Sequence, residues 1–302
     1  MKKSQQVVVG AVAVALLYDN DGEVDIFAGG YPYPEVTLHG GGLPLEIKVS
    51  SRQEIAEFLG ERTSSADGKS RLFRNNGDGT FVDVTEEVGL YRAMSPMGAN
   101  FGDVDNDGFL DVYIGTGAPQ FDYLVPNRLF LNDGGRLFRD ASVLSNLGHL
   151  QKGHGVAFGD VDNDGDQDIY ITIGGAFPGD AFPNALFENP GQGNNWITLK
   201  LEGTQANRSA VGARIKLTVA GPSGGQTIFR TVGSGGSFGA SSLQQEIGIG
   251  AADRILKLEI VWPDRTSSVE VSHHLQPNSA YRIRQGDAAP PIRMERPLLT
   301  KQ

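Results

Sequence analysis

The chain has 302 residues, no cysteine, a net charge of −10 and a pI near 5.0. That length suits one large domain or two ordinary ones. The missing cysteines exclude disulfides and thiolate chemistry, and the acidic balance argues against nucleic acid, which needs a basic footprint.

With 41 glycines, 39% hydrophobic residues and many short apolar runs, the composition predicts a turn-rich all-β protein. Met1-Lys2-Lys3 precedes an apolar run over residues 7–17. That run is too short for a membrane span. Two readings remain: a secretory signal, or the buried inner strand of a first repeat. It runs straight into Asp19-Asn20-Asp21-Gly22 with no polar spacer or clear cleavage site, which suits the strand. An insertion follows, over about residues 38–69. Within it, Ser51-Arg52-Gln53-Glu54 reads as a capping box, with Ile55, Phe58 and Leu59 on one face, and predicts a short surface helix.

A repeat then governs the chain. Leu72-Phe73-Arg74-Asn75 returns as Leu129-Phe130-Leu131-Asn132 and as Leu186-Phe187-Glu188-Asn189, each 57 residues after the last. Phe101-Gly102-Asp103-Val104-Asp105-Asn106-Asp107-Gly108 returns at the same period, beginning at Phe158. Tyr18-Asp19-Asn20-Asp21-Gly22 is a degenerate copy. Each unit reads as four short strands, in the middle unit near residues 98–102, 111–115, 127–132 and 136–140. This is the size of a propeller blade, which must stack on neighbours to bury both faces. After Gly191 the acidic loops stop. Seven strand-like segments follow: 196–201, 212–219, 227–232, 246–249, 255–262, 267–271 and 281–284. Leu256, Leu258, Ile260 and Trp262 should share one face, and Ile215, Leu217 and Val219 another. Such a set suggests a sandwich. The predicted fold is a partial β-propeller of about three four-stranded calcium-loop blades (residues 1–191), then a β-sandwich-like domain (192–286) and an extended, mobile tail (287–302).

The chemistry lies in the loops. Asp103, Asp105 and Asp107 alternate, Gly108 permits a sharp turn, the carbonyl of Phe109 occupies position seven, and Asp111 closes the loop at position nine. Asp160, Asp162, Asp164, the carbonyl of Asp166, and Asp168 repeat the pattern. Alternating oxygen donors suit Ca²⁺, with six to eight ligands, better than octahedral Mg²⁺. Closure at position nine, with strands on both sides, excludes an EF-hand. Four converging carboxylates repel by about 1 kcal/mol per pair even in water, so a cation is wanted. An ordinary acidic turn uses the same residue types, but two copies in one register set it aside. The first loop offers Asp19, Asp21, the carbonyl of Glu23, and Asp25. Leu17 stands where its first acid should be, so it should bind more weakly.

No nucleophile elbow or phosphate-cradling loop is present. The histidines are His39, His149, His154, His273 and His274. His154 reads as structural, and the His273-His274 pair has no carboxylate at ligand spacing. The chain is therefore expected not to be an enzyme. Tyr31, Tyr33, Phe121 and Tyr123 lie near loops, where they could stack on sugars or simply pack turns.

The loops resemble the FG-GAP/VCBS-type repeats of integrin-like propellers. The stretch from Leu72 to Thr85 resembles the repeat of the cartilage acidic protein family. Asn207-Arg208-Ser209-Ala210-Val211-Gly212-Ala213-Arg214, the glycine-rich run 233–242 and Val261-Trp262-Pro263 resemble that family's ASPIC/UnbV domain. Ile247-Gly248-Ile249-Gly250 departs from a more aromatic family pattern. The resemblance implies an extracellular (secreted or cell-surface) calcium-binding protein tied to adhesion or matrix. Three blades cannot close a ring, so other protein chains are expected as partners, in a homo-oligomer or fibre or as further blades. The alternative is a calcium-dependent module for extracellular glycans, accessory to a polysaccharide-active enzyme. An enzyme resembling the calcium propellers of polysaccharide lyases is a third reading.

Overall fold

Short apolar runs with period-two burial, punctuated by Asp, Asn and Gly, fold as antiparallel strands rather than helices. The computed structural model describes residues 10–30, 37–39, 46–48, 69–117, 124–175, 178–222, 224–287 and 291–295, and among them there is no helix. None, therefore, is long and apolar enough to cross a membrane. The helix expected near residues 51–59 lies outside the described residues, as do Tyr31, Tyr33, Phe121 and Tyr123.

The described residues are all-β, with five sheets of three or four strands in a propeller-like arrangement. Strand β1 (Gly10–Leu16) pairs with β2 (Asp25–Gly30), so most of the N-terminal apolar run is strand. Strands β3 (Thr37–His39) and β4 (Glu46–Lys48) make a separate hairpin. Strands β5 (Arg71–Asn75) and β6 (Phe81–Asp83) complete the first sheet, ordered β1-β2-β5-β6. The second sheet is the meander β7 (Pro96–Gly102), β8 (Asp111–Thr116), β9 (Arg128–Asn132) and β10 (Phe138–Asp140). The third holds β11 (Gly153–Gly159), β12 (Asp168–Ile173) and β13 (Ala185–Phe187). Four strands were expected here. Among the described residues the fourth is absent, because Pro190 and Gly191 follow Asn189 and the chain leaves for the C-terminal sheets.

Neighbouring units share cores. Val12, Val14 and Phe27 of the first sheet pack with Val112, Ile114 and Phe130 of the second. Tyr113 and Leu129 of the second pack with Val156, Ile169 and Ile171 of the third. The inner strands approach closely because glycine lines the gap. A Cβ on Gly98 would lie 1.7 Å from His154 O, and one on Gly115 2.6 Å from Gly153 O.

Asparagines join the units in both directions. The Asn132 amide donates to Tyr18 O at 2.7 Å in the sheet before it, and Asn189 to Val104 O at 2.7 Å. Asn20 donates to Gly108 O at 2.7 Å in the sheet after it, and Asn106 to Gly165 O at 3.1 Å. Each such bond gives a backbone carbonyl of the neighbouring unit a hydrogen-bond donor.

The C-terminal strands are β14 (Asn195–Glu202), β15 (Arg214–Gly221), β16 (Gly224–Thr231), β17 (Gln245–Gly250), β18 (Arg254–Val261), β19 (Val269–Ser272), β20 (Ser279–Arg284) and β21 (Ile292–Met294). They form two sheets, β17-β14-β20-β21 and β16-β15-β18-β19, with β14 and β20 parallel. Ile197, Leu199, Ile215, Leu217, Ile247, Leu258, Trp262 and Ile283, from both sheets, form one core. The expected face Ile215, Leu217, Val219 is buried. The other needs correction. A register shift opposite Thr218 and Val219 makes Leu256 the extra residue of a β-bulge. Leu256 is 47% exposed, and Ile255, at 6%, takes its place beside Leu258, Ile260 and Trp262. Within the segment expected as an extended tail, Ile292–Met294 form β21, paired with β20.

Candidate metal centre

Each acidic loop connects the first two strands of its sheet. The three share one backbone path. Asn20, Asn106 and Asn163 are left-handed at φ 57, 56 and 67°, and Gly22, Gly108 and Gly165 follow at φ 94, 93 and 100°. Carboxylates hold the turn through backbone N–H groups. Asp107 N and Asp164 N donate to the side chains of Asp105 and Asp162, both at 3.3 Å. Gly108 N donates to Asp103 Oδ2 at 3.1 Å, and Gly165 N to Asp160 Oδ2 at 2.9 Å.

The acid at position nine bridges strands. Asp111 accepts Val104 N and Asn132 N, both at 2.8 Å, and Asp168 accepts Val161 N and Asn189 N, both at 2.8 Å. Asp25 accepts Tyr18 N at 3.2 Å and Asn75 N at 2.9 Å. The asparagine of the Leu-Phe-x-Asn repeat is thus the partner of the loop's last acid, a pairing that their shared 57-residue period could have suggested.

Oxygens of Asp103, Asp105 and Asp111 lie within 4.8 Å of one another, and so do those of Asp160, Asp162 and Asp168. Asp107 and Asp164 are not in these groups. Their Oδ1 atoms accept Phe109 N and Asp166 N at 2.7 and 2.9 Å. The Asp166 side chain accepts the Asn106 amide at 2.7 Å. Among the described residues no comparable cluster forms from Asp19, Asp21, Glu23 and Asp25, and Leu17 is buried in the apolar core.

Burial pushes several of the loop carboxyls up. Asp103 rises to about 6, with Arg230 opposing the shift. Asp107 rises to about 7, with help from Asp103 and Asp105, and Asp25 also to about 7. Asp105 and Asp168 move the same way, and Asp111 well above the usual range. Crowded, desolvated acids resist ionising unless a cation is near. Loop 160–168 fits such a cation, since three carboxylates supply hard oxygen donors. Loop 103–111 brings together the same three positions, but Arg230 Nη2 already sits 3.0 Å from Asp103 Oδ2.

Arg230 comes from the C-terminal sheets, which lie directly on the loops. Phe229 N donates to Asn20 Oδ1 at 3.1 Å, Gly248 N to Asp103 Oδ2 at 3.1 Å and Gly250 N to Asn106 O at 2.8 Å. The Asn194 amide donates to Asp105 O at 2.8 Å. A Cβ on Gly248 would lie 2.3 Å from the Asn106 backbone, so glycine in the atypical Ile-Gly-Ile-Gly stretch permits this approach. The glycine-rich run 233–242 crosses the inner strands: Ser237 N donates to Ala99 O at 2.7 Å, and Phe158 N to Ser241 Oγ at 3.1 Å. Arg230 was missed by sequence reasoning. Its signal is a charge in the buried register of β16, on the same face as Ile228. His154 Nε2 lies 2.8 Å from Gly174 O and His273 Nδ1 3.1 Å from Leu256 O.

Residues 58–114 and 121–171 match the family described as FG-GAP-like repeat, and residues 203–290 match ASPIC and UnbV. No curated protein matches the chain. The two repeat matches run from β5 into β8 and from β9 into β12, and the C-terminal match covers β15 to β20, so the chain carries FG-GAP-like repeats followed by an ASPIC and UnbV domain.

Proposed function

We propose that this is a non-enzymatic, calcium-binding structural or adhesive protein, secreted or held at the cell surface. Its first three sheets act as propeller blades, and its last two as a β-sandwich-like domain, with the boundary near Gly191. The meander order of the first three, against the parallel β14–β20 pair and shared core of the last two, supports that division. The observation that carries the calcium reading is the convergence of Asp160, Asp162 and Asp168. Oxygen-only donors on a rigid loop between strands hold Ca²⁺ and fix the loop for docking. The extracellular assignment rests on the family resemblance.

Chelation should lower the melting temperature, and added calcium should restore it. Binding to the native state alone stabilises by about 2.7 kcal/mol at a hundredfold excess over Kd. An unchanged melting curve after metal loss, confirmed by elemental analysis, would remove calcium from the proposal.

The same proposal includes assembly with other chains. Ile26 is exposed on the first sheet and Phe81 and Val82 on its outer strand β6; apolar groups on an open edge invite pairing. Light scattering on the 302-residue chain in calcium should give a mass that rises with concentration. A constant monomer mass would show that the C-terminal sheets complete the molecule alone.

A further inference from the structure

The two clustered loops have the same sequence pattern but different surroundings. Arg230 is 5% exposed. Its Nη2 donates to Asp103 Oδ2 at 3.0 Å and to Gly108 O at 3.3 Å, and its Nη1 to Phe229 O at 2.9 Å and Asn20 Oδ1 at 3.4 Å. One guanidinium therefore touches the first and second loops from the C-terminal sheets. At the third loop those sheets present an indole instead: a Cβ on Gly165 would lie 1.9 Å from Trp196 Nε1.

Resting on the calcium reading above, we infer that Arg230 is the built-in cation of loop 103–111, which therefore takes calcium at least tenfold more weakly than loop 160–168. Asp103 Oδ2 already accepts Arg230 Nη2, Gly248 N and Gly108 N at 3.0, 3.1 and 3.1 Å. A carboxylate oxygen has two lone pairs, so that atom is saturated. An ion on the other oxygen would lie within about 8 Å of Arg230 Nη2, given calcium–oxygen distances of about 2.4 Å and the 3.0 Å from Nη2 to Oδ2. Cations that close, in a desolvated site, repel strongly. The guanidinium already supplies part of the charge that three converging acids require, and it belongs to the chain, so it carries no separate association cost. Removing it would leave buried carboxylates uncompensated. In that state the loop needs an external cation most.

The test is calcium titration calorimetry on the full chain after chelation. The natural protein should bind one tight ion. Asp162→Ala should abolish it and Asp105→Ala should leave it. Arg230→Met should add a second tight ion, at least tenfold tighter at that loop than before. That ion should vanish in the Arg230→Met, Asp105→Ala double variant, and Arg230→Lys should behave as the natural protein. A gained site cannot arise from misfolding. Two ions of similar affinity in the natural protein, one lost with each aspartate variant, would overturn the inference and leave the calcium reading standing. So would a folded Arg230→Met with unchanged binding. If Arg230→Met does not fold, the aspartate mapping decides alone. No ion at all in the natural protein would instead bring down the calcium reading, and the inference with it.

Discussion

Gly98→Ala should destabilise the protein by about 3 kcal/mol, the upper end for overpacking. The added methyl would lie 1.7 Å from His154 O and 2.7 Å from its carbonyl carbon. Both are backbone atoms of β11, so no rotamer change relieves the clash, and the second and third sheets must separate. Gly159→Ala is the control. It lies on the same strand β11 with nothing within 4 Å of the added Cβ and no left-handed φ, so it should change stability by no more than about 0.5 kcal/mol. Urea unfolding in saturating calcium would measure both midpoints. Equal midpoints would mean that the inner strands do not approach as described.

Trp262→Ala should cost about 3–5 kcal/mol, the range for deleting a buried aromatic. Trp262 is fully buried in the core shared by the two C-terminal sheets. Its Nε1 has no hydrogen-bond partner among the described residues, so the indole contributes packing while leaving a donor unsatisfied. Trp262→Phe should therefore cost clearly less than Trp262→Ala. The chain has two tryptophans, so either variant leaves Trp196 as the sole fluorescent probe, placed against Gly165 of the third loop. Its emission should report unfolding at a lower urea concentration in Trp262→Ala. Equal stability of the two variants would show that the side chain's volume does not hold these sheets together.

Much of the fold was legible because its determinants are local. The 57-residue period placed the loops, and alternation located β14 to β20 to within two residues at most ends. What escaped depends on distant partners. Leu256 reads as an inward residue until the bulge against β15 is known. The third sheet's missing outer strand follows from where the chain must go next. In the candidate site, loop spacing identified the convergent acids at positions one, three and nine. It also assigned Asp107 and Asp164 as ligands; these lie outside the two clusters, and their Oδ1 atoms accept backbone N–H groups two residues on. Arg230 lies 127 residues from Asp103. No spacing rule links them, and only the docking of the C-terminal sheets brings them together.

The asparagine joints give the array a heading. At each of the two joints the downstream unit sends one amide back and the upstream unit sends one forward, so a joint is complete only when two copies lie in phase. A tandem duplication of one whole period carries both halves with it and can be spliced in without inventing a new interface. A duplication of any other length leaves amide and carbonyl out of step. Among the described residues the Asn75 amide bonds to Val24 O of its own sheet, whereas Asn132 and Asn189 also reach the sheet before theirs. Growth of such a chain by gene duplication is thus favoured in multiples of its own repeat.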